Sequence, residues 1–254
     1  MTPRPPRVTS SRAVTAHTGA EPNSDKTNRP IEVVLFDLDG TLIDTIELIL
    51  SSMRHATAQV LGEALPDAVL LHNVGVPLRA QMCEFAPGRE EELLGVYRAH
   101  NDQVHDQLVC DYPGTNEALD ELKRRGYRLG VVTSKSVSVA RRGLDHFGLS
   151  DYFEVLVGYE DTQIHKPEPE PLYLAAERMG VSISDCCYVG DSPHDMAAGI
   201  AAGAMTVAAL WGPFADRVVE RNPDYAISEL SELPPILGDA EARGLSATGE
   251  EDAG

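Results

Sequence analysis

The sequence predicts an α/β protein whose parallel-sheet core is interrupted, after its first strand, by an inserted all-helical cap. Three observations carry this. Residues 31–36 (IEVVLF) form an apolar run of strand length, rich in β-branched types, as expected of a strand buried on both faces. From residue 45 to 111 the apolar positions recur at helical spacing, with no convincing strand among them. After Asp111, Tyr112, Pro113 and Gly114 the text changes to short apolar runs alternating with helices, the mark of a parallel sheet with crossover helices.

Each element follows from its local pattern. In IELILSSMRHATAQVL, directly after Thr45, the residues Ile46, Ile49, Leu50, Met53, Val60 and Leu61 share one helical face. PLRAQMCEF and REEELLGVYRAHNDQVHDQL continue that period. Further strands are expected at YRLGVVT (127–133), EVLVG (154–158), CCYVG (186–190), MTVAAL (205–210) and DYAIS (224–228). The division is therefore a Rossmann-like core of residues 31–44 and 112–236 and a cap of residues 45–111. Residues 1–30 and the acidic stretch 237–254 are expected to be disordered tails. The first 30 residues hold no acid before Glu21 and no apolar signal segment, and their prolines work against the amphipathic helix of a transit peptide.

Charge narrows the function. The 254 residues carry a net charge of −19, which excludes a protein that tracks nucleic acid or anionic lipid, since no basic surplus exists to neutralise phosphates. A small phosphate can still bind where a cation is recruited locally. No run of 18 apolar residues is present, so no membrane span is expected. Cys83, Cys110, Cys186 and Cys187 lack CxxC spacing and read as reduced core residues, in keeping with a cytoplasmic setting.

Ligands of such sheets bind beyond the carboxyl ends of the strands, so the residues following each apolar run hold the chemistry. The first run ends in Asp37-Leu38-Asp39, two carboxylates on one side of an extended segment. Two anions so close repel each other, a cost that calls for a counter-ion. The second ends in Thr133, Ser134 and Lys135, suited to phosphate oxygens. Beyond the third lies Lys166, held extended before Pro167 and able to point inward. The fourth ends in Gly190-Asp191-Ser192-Pro193-His194-Asp195. Ser192 through Asp195 also scan as an ordinary helix-capping signal, and Thr133 and Ser134 as a simple N-cap. Capping explains neither Asp191 nor Asp37.

Together DLDGT (37–41), VVTSK (131–135), HKPEPEP (165–171) and GDSPHDMAAGIAAG (190–203) resemble, in order and spacing, the four motifs of the haloacid dehalogenase-like hydrolases. The likeness is to the phosphatase branch with a helical cap and spans residues 31 to 228. It implies that Asp37 is a nucleophile forming an aspartyl-phosphate, and that Asp39 is the general acid and base. It further implies Mg²⁺ held by Asp37, the main-chain carbonyl of Asp39 and Asp191, with Asp195 in support. Thr133 and Lys166 would hold the phosphoryl oxygens, and Gly40, Thr41, Ser134 and Lys135 would contact substrate. His165 and His194 are read as bystanders, and Trp211 and Gly212 as pocket border or packing.

Cap residues able to meet the leaving group are Arg79, with Arg54 and His55 on the first cap helix, while Glu47 follows the flap. A cap closing over the acids suits a small phosphorylated metabolite. The chain resembles phosphoglycolate phosphatases first and the related inorganic pyrophosphatases second. A phosphosugar mutase and a non-catalytic phosphate-binding module are the remaining alternatives. A dehalogenase would need neither Mg²⁺ nor Asp39. Oligomeric state is left open.

Overall fold

The computed structural model describes residues 31–72 and 74–238, so the expected tail 1–30 and residues 239–254 of the other lie outside the described residues. The core is a six-stranded sheet built from β1 (Val33–Phe36), β4 (Arg128–Val132), β5 (Val155–Val157), β6 (Cys186–Gly190), β7 (Met205–Ala209) and β8 (Tyr225–Ile227). Its order is β5-β4-β1-β6-β7-β8, and every pairing is parallel. The chain thus runs outward from β1 on one side, returns, and runs outward from β6 on the other. β1 and β6 flank the point where the direction of winding reverses, the place such sheets reserve for ligands.

Alternation of side chains explains both faces. Val34 and Phe36 of β1, with Cys187 and Val189 of β6, pack with α5 (Thr115–Arg124), α6 (Val137–His146) and α10 (Leu233–Leu237) in one apolar layer. Val33, Leu35, Cys186 and Tyr188 point the other way, toward α7 (Glu170–Met179) and α8 (Pro193–Ala202). Burial of each such aliphatic side chain stabilises the fold by about 1.5–3 kcal/mol.

The cap comprises α1 (Ile46–Leu61), α2 (Asp67–Leu70), α3 (Leu78–Phe85) and α4 (Glu90–Leu108). Its own core joins Ile49, Leu50, Met53, Ala56 and Val60 of α1 to Met82, Leu93, Leu94 and Tyr97, and Phe214 from the sheet domain completes it. A two-residue antiparallel pair, β2 (Ile43–Asp44) with β3 (Cys110–Asp111), ties the two crossings between core and cap. Two-residue strands have no periodicity, so the pattern did not reveal them.

Two expectations are corrected. Leu237, assigned to the tail, is fully buried at the end of α10, and its carbonyl accepts a hydrogen bond from the Tyr127 hydroxyl at 2.9 Å. Of the four free thiols only Cys186 and Cys187 are buried, whereas Cys83 and Cys110 are exposed. Cys83 lies on the outward face of α3, and both residues of β3 are exposed. Burial pushes the Cys186 thiol up to about 12. Among the described residues no helix is long and apolar enough to cross a membrane.

Candidate active site

Asp37 leaves the buried end of β1, where its N–H still bonds to Val189 of β6. Asp191 occupies the corresponding position after β6. Beside them Asp195 sits in the first turn of α8, and one carboxylate oxygen of each of the three lies within 4.8 Å of the others. All three are buried. The Lys166 ammonium donates to Asp37 at 2.6 Å, Asp195 at 2.7 Å, the Tyr188 hydroxyl at 3.0 Å and the Val132 carbonyl at 3.3 Å.

Three acids against one base leaves surplus negative charge out of water. Burial, followed by the push of Asp195 and Asp39, outweighs the pull of Lys166 and moves Asp37 up to about 7. Burial, with Asp195 and Asp37 adding to it, raises Asp191 well above the usual carboxylate range. Asp195 goes the other way: burial opposes its charge, but Lys166 and hydrogen bonds from Ser192 and Tyr188 hold it low. Two anions beneath Lys166 in turn hold its own pKa well above that of a free lysine, despite burial. Such a group fits a hard divalent cation, which would relieve the crowding of Asp37 and Asp191.

The oxygens are not equally available. Both carboxylate oxygens of Asp195 are spent, Oδ1 on Lys166 and Tyr188 and Oδ2 on the amide and hydroxyl of Ser192. Ser192 and Asp195 also form a capping box at the start of α8, so the capping signal and the charge role coexist in one residue. Asp37 and Asp191 each keep Oδ2 without a protein donor among the described residues. Two glycines make room for Asp191: a Cβ at Gly40 would stand 2.4 Å from its Oδ2, and one at Gly212 2.3 Å. Gly40 also has φ +84°, a conformation that favours glycine.

Above this cluster opens a cavity of about 620 Å³ between core and cap, lined by Asp37, Asp39, Thr133, Ser134, Lys135 and Asp191 from below. The Asp39 carboxylate turns away from the other acids. Its Oδ1 accepts from Lys135 Nζ at 2.5 Å and from the Thr45 hydroxyl at 2.7 Å, leaving Oδ2 for the cleft. Thr133 Oγ1 accepts the Lys135 amide. The Ser134 hydroxyl reaches across to the cap and donates to the Gly75 carbonyl at 2.9 Å.

Several expected contacts fall elsewhere. Gly40 and Thr41, expected to touch substrate, are buried away from the cavity, and the Thr41 hydroxyl donates instead to Asp191 Oδ1 at 3.2 Å. Lys166 and Asp195 lie beneath the cleft wall, so the geometry gives Lys166 the task of offsetting Asp37 rather than of touching a ligand. Arg79 lines the cleft but is engaged with Glu91, and with Glu90 at 4.0 Å. Arg54 is bound to Asp67 and Glu47, and His55 stacks on His100; none of these five lines the cavity. His165 stacks on Tyr159, and the Trp211 indole donates to the Thr41 carbonyl. Arg98, Asn101, His105 and Arg142 do line the cleft and were missed, because a helical face turned to a ligand reads like any other amphipathic face.

The haloacid dehalogenase-like hydrolase family model matches residues 34–209. The pyrophosphatase PpaX of Bacillus velezensis is 37% identical over 213 residues, 84% of this chain and 99% of that protein. PpaX of Halalkalibacterium halodurans is 37% identical over 211 residues, 82% of this chain and 97% of its own. Among solved structures, a predicted phosphoglycolate phosphatase from Haemophilus somnus has a TM-score of 0.74 at 24% identity, covering 83% of this chain and 99% of that one, which shows the shared fold. The chain belongs to the haloacid dehalogenase-like hydrolases, on the phosphatase branch.

Proposed function

We propose that this haloacid dehalogenase-like hydrolase is a Mg²⁺-dependent phosphatase acting through an aspartyl-phosphate, with inorganic pyrophosphate as its first substrate and a phosphoglycolate-like monoester as its second. One observation carries the reading: a buried nucleophile-type carboxylate, Asp37, is charge-matched by Lys166 at 2.6 Å and opens onto a cap-covered cavity. The order of substrates reverses the one drawn from sequence, because the extensively aligned relatives at 35–38% identity bear the name pyrophosphatase or putative pyrophosphatase. The solved phosphoglycolate phosphatase relative supports the fold alone.

In this reading the free Oδ2 of Asp37 attacks phosphorus as the bond to the leaving oxygen breaks, and Asp39 gives that oxygen a proton. Asp39 then takes a proton from water as the water attacks the aspartyl-phosphate, releasing phosphate and restoring Asp37. Lys166 pulls Asp37 toward its ionised form and orients it, Thr133 offers a hydroxyl to the phosphoryl group, and the cap excludes bulk water. Asp191 through its free Oδ2, and Asp37 through the carboxylate oxygen that does not attack, would hold Mg²⁺, with the Asp39 main-chain carbonyl. Asp195, whose oxygens are spent, would fix Lys166 and the start of α8. The cation supplies charge neutralisation for the transferring phosphoryl group. Four free thiols suit a cytoplasmic setting.

Phosphate release from pyrophosphate, phosphoglycolate and several sugar phosphates, with Mg²⁺ and with chelator, tests this. Metal-dependent release is expected, reduced by a factor on the order of 10⁴ or more in Asp37→Asn. Isomerised sugar phosphate without net release, or activity retained in the variant, would overturn it.

A further inference from the structure

Four cations line the cavity wall: Arg79, Arg98, Lys135 and Arg142. Three are already matched, Arg79 by Glu91, Lys135 by Asp39, and Arg142 by Asp102 and Asp106. Arg98 forms no ion pair or hydrogen bond among the described residues. An exposed guanidinium facing a cleft whose other cations are already paired is a ready receptor for an anion brought in from solution.

Its position suits the leaving group. On α4 the cleft-lining residues Leu94, Tyr97, Arg98, Asn101 and His105 recur at three- and four-residue spacing, so one helical face forms this wall. The Tyr97 phenol is raised by burial and then by the Asp39 carboxylate, which places this turn of α4 within the electrostatic reach of Asp39. A second, independent feature lies in the same lining. Gln81 is 5% exposed; its amide nitrogen donates to the Val76 carbonyl at 2.8 Å, while its Oε1 has no partner. A buried acceptor left unpaired is destabilising unless a ligand satisfies it.

We propose that Arg98 and Gln81 form the subsite for a phosphate leaving group, Arg98 pairing with its anionic oxygens and Gln81 Oε1 accepting from its protonated oxygen. This rests on the phosphatase reading and specifies the substrate class: the chain selects a phosphoanhydride over an ester of a neutral alcohol or phenol.

The test is steady-state kinetics of the full chain with Mg²⁺ on pyrophosphate and on an aryl phosphate, for wild type, Arg98→Ala and Arg98→Lys. Arg98→Ala is expected to lower kcat/KM for pyrophosphate by about ten- to a hundredfold while leaving the aryl ester within about twofold. Arg98→Lys should recover part of the loss, and both variants should keep the wild-type melting temperature because Arg98 is exposed. Equal loss on both substrates, or no loss on pyrophosphate, overturns the inference. Wild-type turnover of the aryl ester but not of pyrophosphate overturns it while the phosphatase reading stands; turnover of neither removes both.

Discussion

The floor and the wall of the cleft are built on opposite principles. In the floor Lys166 is buried, four acceptors surround its ammonium, and both oxygens of Asp195 are committed, so each side chain has one available place. In the wall the charges are half in water and paired in interchangeable ways, with Arg142 spanning two acids and Arg79 shared between Glu90 and Glu91. Ion pairs of that exposed kind contribute about 0–1 kcal/mol each. The difference teaches that the floor is dedicated to one chemical step, whereas the wall can be re-sorted to suit a leaving group without disturbing the fold.

The sharpest way to break this contrast is Lys166→Met. It leaves Asp37 and Asp195 buried without their base, and a destabilisation of about 3–5 kcal/mol is expected by urea titration, together with loss of activity. A loss below about 1 kcal/mol would make the floor as adaptable as the wall. Next comes Gly212→Ala, which would drive a methyl group into Asp191. Mg²⁺ affinity, read from the metal dependence of the melting temperature, is expected to fall about ten- to a hundredfold.

These floor residues were legible because they follow buried strands. An apolar run ending in an acid announces a carboxylate at the mouth of a parallel sheet, which is how Asp37 and Asp191 stand out. What Thr41 and Gly40 do was not legible. Their partner, Asp191, lies 150 residues away along the chain from Thr41, and no local pattern tells a hydroxyl that touches substrate from one that orients an acid. Arg98 was hidden for another reason. On a solvated helix an arginine is the ordinary residue, and only its lack of a partner inside a cavity distinguishes it.

The floor's strain has a pH signature. Because burial moves Asp37 from its ordinary 3.8 to about 7 and Asp191 in the same direction, the folded metal-free protein keeps protons that the unfolded chain has released. The contribution of these two groups to stability therefore falls as pH rises between about 4 and about 7, by up to roughly 1.4 kcal/mol per pH unit per group. Asp195, shifted down, opposes this only at the acid end. His100, His105, His165 and His194, lowered by burial, also oppose it. The urea midpoint in chelator is therefore expected to shift toward lower values from pH 5.5 to pH 7.5 more in the wild type than in Asp37→Asn, with that difference closing when Mg²⁺ is added; equal profiles would contradict the crowding of the acids.

The smallest effect belongs to the seam between the two regions. Ser134→Ala removes one hydrogen bond to the cap at Gly75. It should cost about 1 kcal/mol in stability and leave turnover within a few-fold, with KM rising as the cap closes less readily. A loss as large as that of Lys166→Met would move Ser134 from the seam into the floor.

The central claim, that the floor performs the same step whatever the wall admits, is tested most directly by acid-quenching the enzyme during turnover with Mg²⁺ and mapping the trapped phosphoryl group by mass spectrometry. With pyrophosphate and with an aryl phosphate alike, the expected result is phosphate on the peptide carrying Asp37 and none in Asp37→Asn. Turnover with the phosphoryl group on another residue, or turnover that persists in Asp37→Asn, would contradict the account.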